Sequence, residues 1–184
     1  MDELIHLTKL DAARRQLHVA IQLLFNDVDP VAVHTLVGAA SVIISDLVEQ
    51  QHPHKSWDKL AQEANKIPPS KYFNVMRTPQ NFLKHAKEDA AATFDFDPNE
   101  TEHLAFWTVM NLQAMGTLSM EESVLQLWFF ACHAQRLDDD FEPYNRAIEI
   151  FGDLRNSPRS TRLLAGKRIL AEQRPIYSNG GKNE

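Results

Sequence analysis

Six consecutive residues, Gln80-Asn81-Phe82-Leu83-Lys84-His85, carry more potential chemistry than any other stretch of this 184-residue chain. Asn81 and His85 are four residues apart and Lys84 is three from Asn81, so on a helix the amide, the ammonium and the imidazole project from one face. Such a face suits a phosphate: lysine supplies charge, the amide orients, and a histidine titrating near neutral pH can transfer a proton. Arg77, one turn before Asn81, offers a second cation. The other reading of Asn81 and His85 is structural, because polar groups near a helix start often hydrogen-bond the backbone.

The elements that must position this face read as helix almost throughout. Leu10, Ala13, Leu17, Ile21 and Leu24 recur at three and four residues and define a first helix from about Thr8 to Phe25. Asp29-Pro30 supplies a cap and a first-turn proline for a second, whose wide apolar face and Gly38-Ala39-Ala40 centre suit the middle of a bundle. Pro53 ends it, Ser56 caps a short third helix that stops before Pro68-Pro69, and Thr78-Pro79 is expected to open the fourth, which carries the motif. His34, among apolar neighbours in the second helix, is placed where it could approach His85.

Thr93-Phe94-Asp95-Phe96-Asp97 alternates like a strand but is short, so an extended connector packing both phenylalanines is expected. Asp97-Pro98-Asn99-Glu100 opens a fifth helix that ends near Gly116, and Ser119-Met120-Glu121-Glu122 is a capping box for a sixth with Val124, Leu127, Trp128, Ala131 and Leu137 inward. Pro143 starts another helix to about Leu154 and Ser157-Pro158 the last. The fold class is therefore all-α, a single-domain bundle of about seven or eight helices over residues 1–174, with a flexible tail at 175–184.

Other chemistries find less support. Glu-x-x-His occurs at Glu3/His6, Glu49/His52 and Glu100/His103, a spacing that di-iron bundles use on two helices. All three pairs sit at expected helix ends and further bundle carboxylates are not evident, so no metal and no cofactor is expected; a surface site near His52 and His54 and a metal-binding bundle remain the distant alternatives. Cys132 lies in an aromatic run without a flanking cation, which suits a small core residue better than a thiolate. Asp138-Asp139-Asp140 reads as a solvated loop that could take a cation. Glycine-rich phosphate loops, nucleophile elbows and paired-cysteine zinc spacings do not occur.

The net charge of −6 is unevenly spread: −1 over residues 1–92, −10 over 93–154 and +5 over 155–184. An acidic body repels nucleic acid at long range, so such a contact would need a local basic surface, and the last helix, with Arg159, Arg162, Lys167 and Arg168, is the candidate. The plainer account is that this basic segment packs near the acidic middle. The acidic N-terminus is unlike a secretory signal and no run approaches the roughly 18 apolar residues of a membrane span, so a cytoplasmic protein with no membrane partner is expected.

Gln80, Asn81 and His85 resemble, in their spacing, the signature of the HEPN superfamily of bacterial helical domains, which is an arginine, often followed by asparagine, and a histidine five residues after the arginine. The resemblance covers about the first 95 residues. It implies a metal-independent RNase with motifs paired across a homodimer, in which His85 would transfer the proton and Asn81 would be its polar partner. Gln80 stands where the family has arginine, and a neutral amide cannot replace guanidinium on a developing dianion, where such stabilisation is worth about 3 kcal/mol; Lys84 or Arg77 would have to compensate. The segments Ala12-Ala13-Arg14-Arg15-Gln16-Leu17 and Asp29-Pro30-Val31-Ala32-Val33-His34-Thr35-Leu36, with Asn81 to His85, also resemble a group of uncharacterised bacterial all-α proteins, and no activity follows from that likeness.

The expectation is a non-enzymatic or degenerate HEPN-like protein that self-associates and acts through a protein or RNA partner. The alternative is an active RNase using His85, Asn81, Lys84 and Arg77.

Overall fold

In a computed structural model of the chain the described residues are 4–87, 90–133 and 141–179, with the side chains of 174–179 excepted. They form eight α-helices, α1 (Lys9–Phe25), α2 (Pro30–Gln51), α3 (Trp57–Asn65), α4 (Pro69–Lys84), α5 (Pro98–Met115), α6 (Met120–His133), α7 (Glu142–Phe151) and α8 (Arg159–Asn179), with one 3-10 turn at Pro53–Lys55. No strand occurs among the described residues, and the protein is an all-α bundle. Leu137 and Asp138 to Asp140 lie outside the described residues. The helix expected to end at Leu154 stops at Phe151, and α8 continues to Asn179, past the boundary expected at residue 174.

Local chemistry accounts for the helix starts. Thr8 Oγ1 accepts from the Asp11 backbone N–H while the Asp11 carboxylate accepts from the Thr8 N–H, closing a capping box, and Ser119 and Glu122 do the same ahead of α6. Asp29 and Asp97 each cap a helix whose first residue is proline. The fourth helix departs from expectation: it opens at Pro69, not at Thr78-Pro79, and Pro79 lies inside it. Thr78 lies within this helix, and its hydroxyl turns back to donate to the Asn74 carbonyl (2.7 Å). Pro79 is buried, and packing of its ring outweighs the backbone hydrogen bond it cannot donate.

α2 runs through the middle, with α1 and α5 as its main neighbours, and buries Val33, Val37, Ala40, Ile44 and Val48. By length and composition alone it would suffice to cross a membrane, contrary to the expectation that no run comes close; in the bundle part of that apolar surface faces the core. α6 anchors the other half against α7 and α8, with Trp128 fully buried and its indole N–H donating to the Arg162 carbonyl (2.7 Å). The connector before α5 is extended, as expected: Phe94 packs on Phe82 (ring centroids 5.3 Å apart) and Phe96 meets His34 edge-on at 5.2 Å.

Gly166 marks the closest helix approach on this side, because a β-carbon there would overlap the Phe25 ring. That ring is 2% exposed and set edge-on against Trp128 at 5.3 Å, so it has no room to swing away. Gly166→Ala is expected to cost about 2 kcal/mol or more from overpacking, lowering Tm by on the order of 5 °C. Thermal denaturation checks this against Lys167→Ala on the exposed face of α8, which should leave Tm nearly unchanged.

Candidate functional site

The six-residue motif divides between two sides of α4. Asn81 and His85 are both exposed and, with Asn74, Thr78, Phe82, Lys87 and Phe94, wall an open cleft of about 720 Å³. Positions 74, 78, 81 and 85 fall on one stripe of the helix. His85 is the residue that ends α4, its backbone N–H donating to the Asn81 carbonyl at 3.1 Å. Lys84 is exposed on the same turn but is not part of the cleft wall.

Gln80 faces the opposite way. It is 2% exposed, and its amide lies where a β-carbon on Gly38 of α2 would come within 2.7 Å. The absence of a side chain at Gly38 thus admits Gln80, and the position that would need a guanidinium in an RNase is sealed in a helix contact. Arg77 is also elsewhere: its guanidinium sits over the Phe73 ring (4.6 Å), 3.9 Å from Asp46, and lines a small cavity beside Ser45 and Asp58. Asn81 and His85 therefore wall one cleft, which neither Gln80 nor Arg77 lines.

His34 does not pair with His85. It is 1% exposed, and its Nδ1 is 3.2 Å from the Thr101 hydroxyl of α5. It lines a second cavity of about 580 Å³ between α2, α4 and α5, which shares Thr78 and Phe94 with the His85 cleft. The connector that carries Phe94 and Phe96 places aromatic rings between the two histidines, an arrangement that the period of either helix could not reveal. Burial pushes the His34 imidazole down to about 4, so the ring is neutral at pH 7.

The apolar wall of this second cavity is made by Val75, Met76, Pro79, Phe94, Leu104 and Trp107. Its polar groups, apart from His34, are Thr78, Asp97, Asn99, Glu100 and His103, four of them from the start of α5. His103 Nδ1 is 2.8 Å from the Asn99 carbonyl, and its ring packs 5.0 Å from that of His133.

Behind this wall is the most heavily charged part of the interior. Glu102 is fully buried and meets Arg159 Nε at 2.7 Å, Arg162 Nη2 at 3.6 Å and His133 Nε2 at 3.7 Å. Arg159 also reaches Asp27 (2.9 Å), and Arg162 reaches Asn99 (3.3 Å). The basic last helix therefore does pack on the acidic middle: of the four cations considered for nucleic acid, Arg159 and Arg162 are occupied by Glu102, and Arg168 is 3.9 Å from Glu172 on its own helix. Sequence reasoning singled out Glu100 and His103 and missed Glu102. A signal was present, because 102, 105, 109 and 112 form one helical stripe of which the other three members are apolar.

Two smaller polar groups are structural. Glu122 is buried against His18 (3.0 Å), the Ser119 backbone N–H (2.7 Å) and Arg14 (3.3 Å); burial alone would raise its carboxyl, but these partners outweigh burial and hold it below the usual range. Asp58 accepts from Ser45, Tyr72 and Asn111 and so ties α3 to α2, α4 and α5. Burial pushes the Cys132 thiol up to about 12, which suits a core residue. Among the described residues no group of three or more histidine, cysteine, aspartate or glutamate side chains is placed to hold a metal ion; Glu49 and His52 close α2, Glu100 and His103 lie in its counterpart at the start of α5, and Glu3 is outside the described residues.

No family model matches the chain, and neither does a curated protein or a solved structure. Any functional reading rests on the two cavities themselves.

Proposed function

We propose that the protein is a non-catalytic, HEPN-like helical domain that acts by binding, and that its partner at the α4 stripe is a second copy of this chain. Gln80 carries this reading. It occupies the arginine position of the resembling motif, yet it is buried against Gly38, and Arg77 is held over the Phe73 ring, outside the cleft wall. A phosphodiester at Asn81 and His85 would meet no guanidinium fork there. Lys84 and Lys87, the exposed lysines that flank His85 in the chain, are point charges without the bidentate geometry that a dianion needs.

The choice of partner follows from charge. Asn74, Thr78 and Asn81 make an uncharged strip beside Lys87 in the cleft wall, so two copies of this acidic chain can meet along the strip itself without opposing like charges there. The half-buried Phe82 and Phe94 beside the strip would gain burial in the contact.

Two measurements on the purified chain test this reading. Incubated with single-stranded RNA, neither the wild type nor His85→Ala should cleave it; cleavage by the wild type that His85→Ala abolishes would overturn the non-catalytic assignment. Light scattering should give a dimer mass for the wild type and a monomer mass for Asn81→Arg, which sets like charges against each other. A monomeric wild type, or a dimer indifferent to Asn81→Arg, would overturn the choice of partner.

A further inference from the structure

The cavity between α2, α4 and α5 has a chemical bias that none of its lining residues shows alone. Thr101 has one hydroxyl proton and two contacts, the Pro30 carbonyl at 3.5 Å and His34 Nδ1 at 3.2 Å. Both are satisfied together only when the proton goes to the carbonyl and His34 Nδ1 carries the ring hydrogen. His34 Nε2 is then a bare acceptor, and it is buried with no hydrogen-bond partner in the protein.

The same accounting applies around the wall. His103 Nδ1 faces the Asn99 carbonyl and must be its donor, which leaves Nε2 as an acceptor when the ring is neutral. The Thr78 proton goes to the Asn74 carbonyl, so its oxygen offers only lone pairs. Asn99 Nδ2 spends one of its two hydrogens on Asp97 Oδ1. Asp97 and Glu100 add two carboxylates. Among the described residues no lysine or arginine lines the cavity, and the Trp107 indole N–H and the second Asn99 Nδ2 hydrogen are the donors left on a wall dominated by acceptors.

We infer that this cavity binds a small organic cation, an ammonium with N–H donors attached to an apolar, ring-sized body. The body fits against Met76, Phe94, Leu104 and Trp107, and the ammonium finds acceptors at His34 Nε2 and the α5 carboxylates. A matched anion would meet two carboxylates and nothing to neutralise it. A buried acceptor such as His34 Nε2 costs free energy while it lacks a donor, and a ligand N–H removes that cost. The site is on the other side of the Thr78/Phe94 wall from the His85 cleft, so it stands or falls independently of self-association.

Three probes with the same phenyl-alkyl body separate charge from hydrophobicity: phenethylammonium, 2-phenylethanol and 3-phenylpropionate, each titrated into the full chain by calorimetry and by tryptophan fluorescence. The ammonium should saturate the site, the alcohol should bind about tenfold more weakly, and the carboxylate more weakly still. Glu100→Gln changes an exposed residue and leaves the core intact; it should weaken the ammonium about tenfold and leave the alcohol unchanged. In the ammonium complex the ¹⁵N signal of His34 Nε2 should shift, as for an acceptor that has gained a donor. Equal binding of all three probes, no saturation by the ammonium at millimolar concentration, an ammonium affinity indifferent to Glu100→Gln, or an unmoved His34 signal would each overturn the inference.

Discussion

Glu102→Ala is expected to remove about 3–5 kcal/mol of stability, the usual cost of taking one partner from a buried ion group. Glu102 is fully buried, and Arg162, 9% exposed, would be left beside Arg159 and His133 with its charge uncompensated. Arg159 has Asp27 to fall back on, so most of the penalty falls on Arg162. Against a total stability of about 5–15 kcal/mol for an ordinary domain this is a large fraction. Urea denaturation at neutral pH measures it, and a loss below about 1 kcal/mol would show that the group is solvated or relaxes freely. A companion variant sharpens the test: replacing Glu102 and Arg162 together by leucine and methionine should recover much of the loss, because the penalty belongs to the orphaned charge and not to the absence of the pair.

The second large effect is in pH. His34 has its imidazole pushed down from 6.5 to about 4 by burial, and its hydrogen-bond partner, the Thr101 hydroxyl, is neutral. Above pH 6.5 the ring is uncharged in both the folded and the unfolded chain and contributes no pH dependence. As pH falls from 6.5 towards 4, the unfolded chain binds a proton that the native ring does not, so stability declines by up to about 1.4 kcal/mol per pH unit, about 3 kcal/mol across the window. Below pH 4 both states are protonated and this contribution levels off. His34→Gln should flatten the stability profile between pH 6.5 and 4. Equal slopes for variant and wild type would mean that the native ring is charged or hydrated.

The two effects fall on residues that the sequence presents very differently. The helices were legible because their starts are written in adjacent residues: Thr8 with Asp11, Asp29 with Pro30, Asp97 with Pro98 and Ser119 with Glu122 all form the caps their spacing foretells. The exception is instructive. Thr78-Pro79 has the same local signature as the others, but Pro69, ten residues earlier, offers another start, and the burial of Pro79 against the rest of the bundle decides between them. Cap chemistry is local, whereas the cost of an internal proline depends on what its ring packs against.

The candidate site was less legible for the same reason. Helical period correctly places Asn81 and His85 on one stripe, yet it does not say which side of α4 meets α2, and that contact buries Gln80 and turns Arg77 away. The His34 cavity needs residues from α2, α4, the 93–97 connector and α5, which are separated by dozens of positions in the chain. Glu102 looks like any carboxylate of an acidic segment until Arg159 and Arg162 arrive from the far end.

By itself, then, the sequence determined that this chain is an all-α bundle, where nearly every helix begins and which apolar stripes form the core, because these follow from short-range hydrogen bonding and from a repeat of 3.6 residues. Only the tertiary structure decided that the motif on α4 is split, that His34 faces a separate acceptor-lined cavity, and that the basic last helix is engaged with Glu102. Those outcomes depend on how whole helix faces are matched, and the desolvation of a buried charge or imidazole has no magnitude until its distant neighbours are in place.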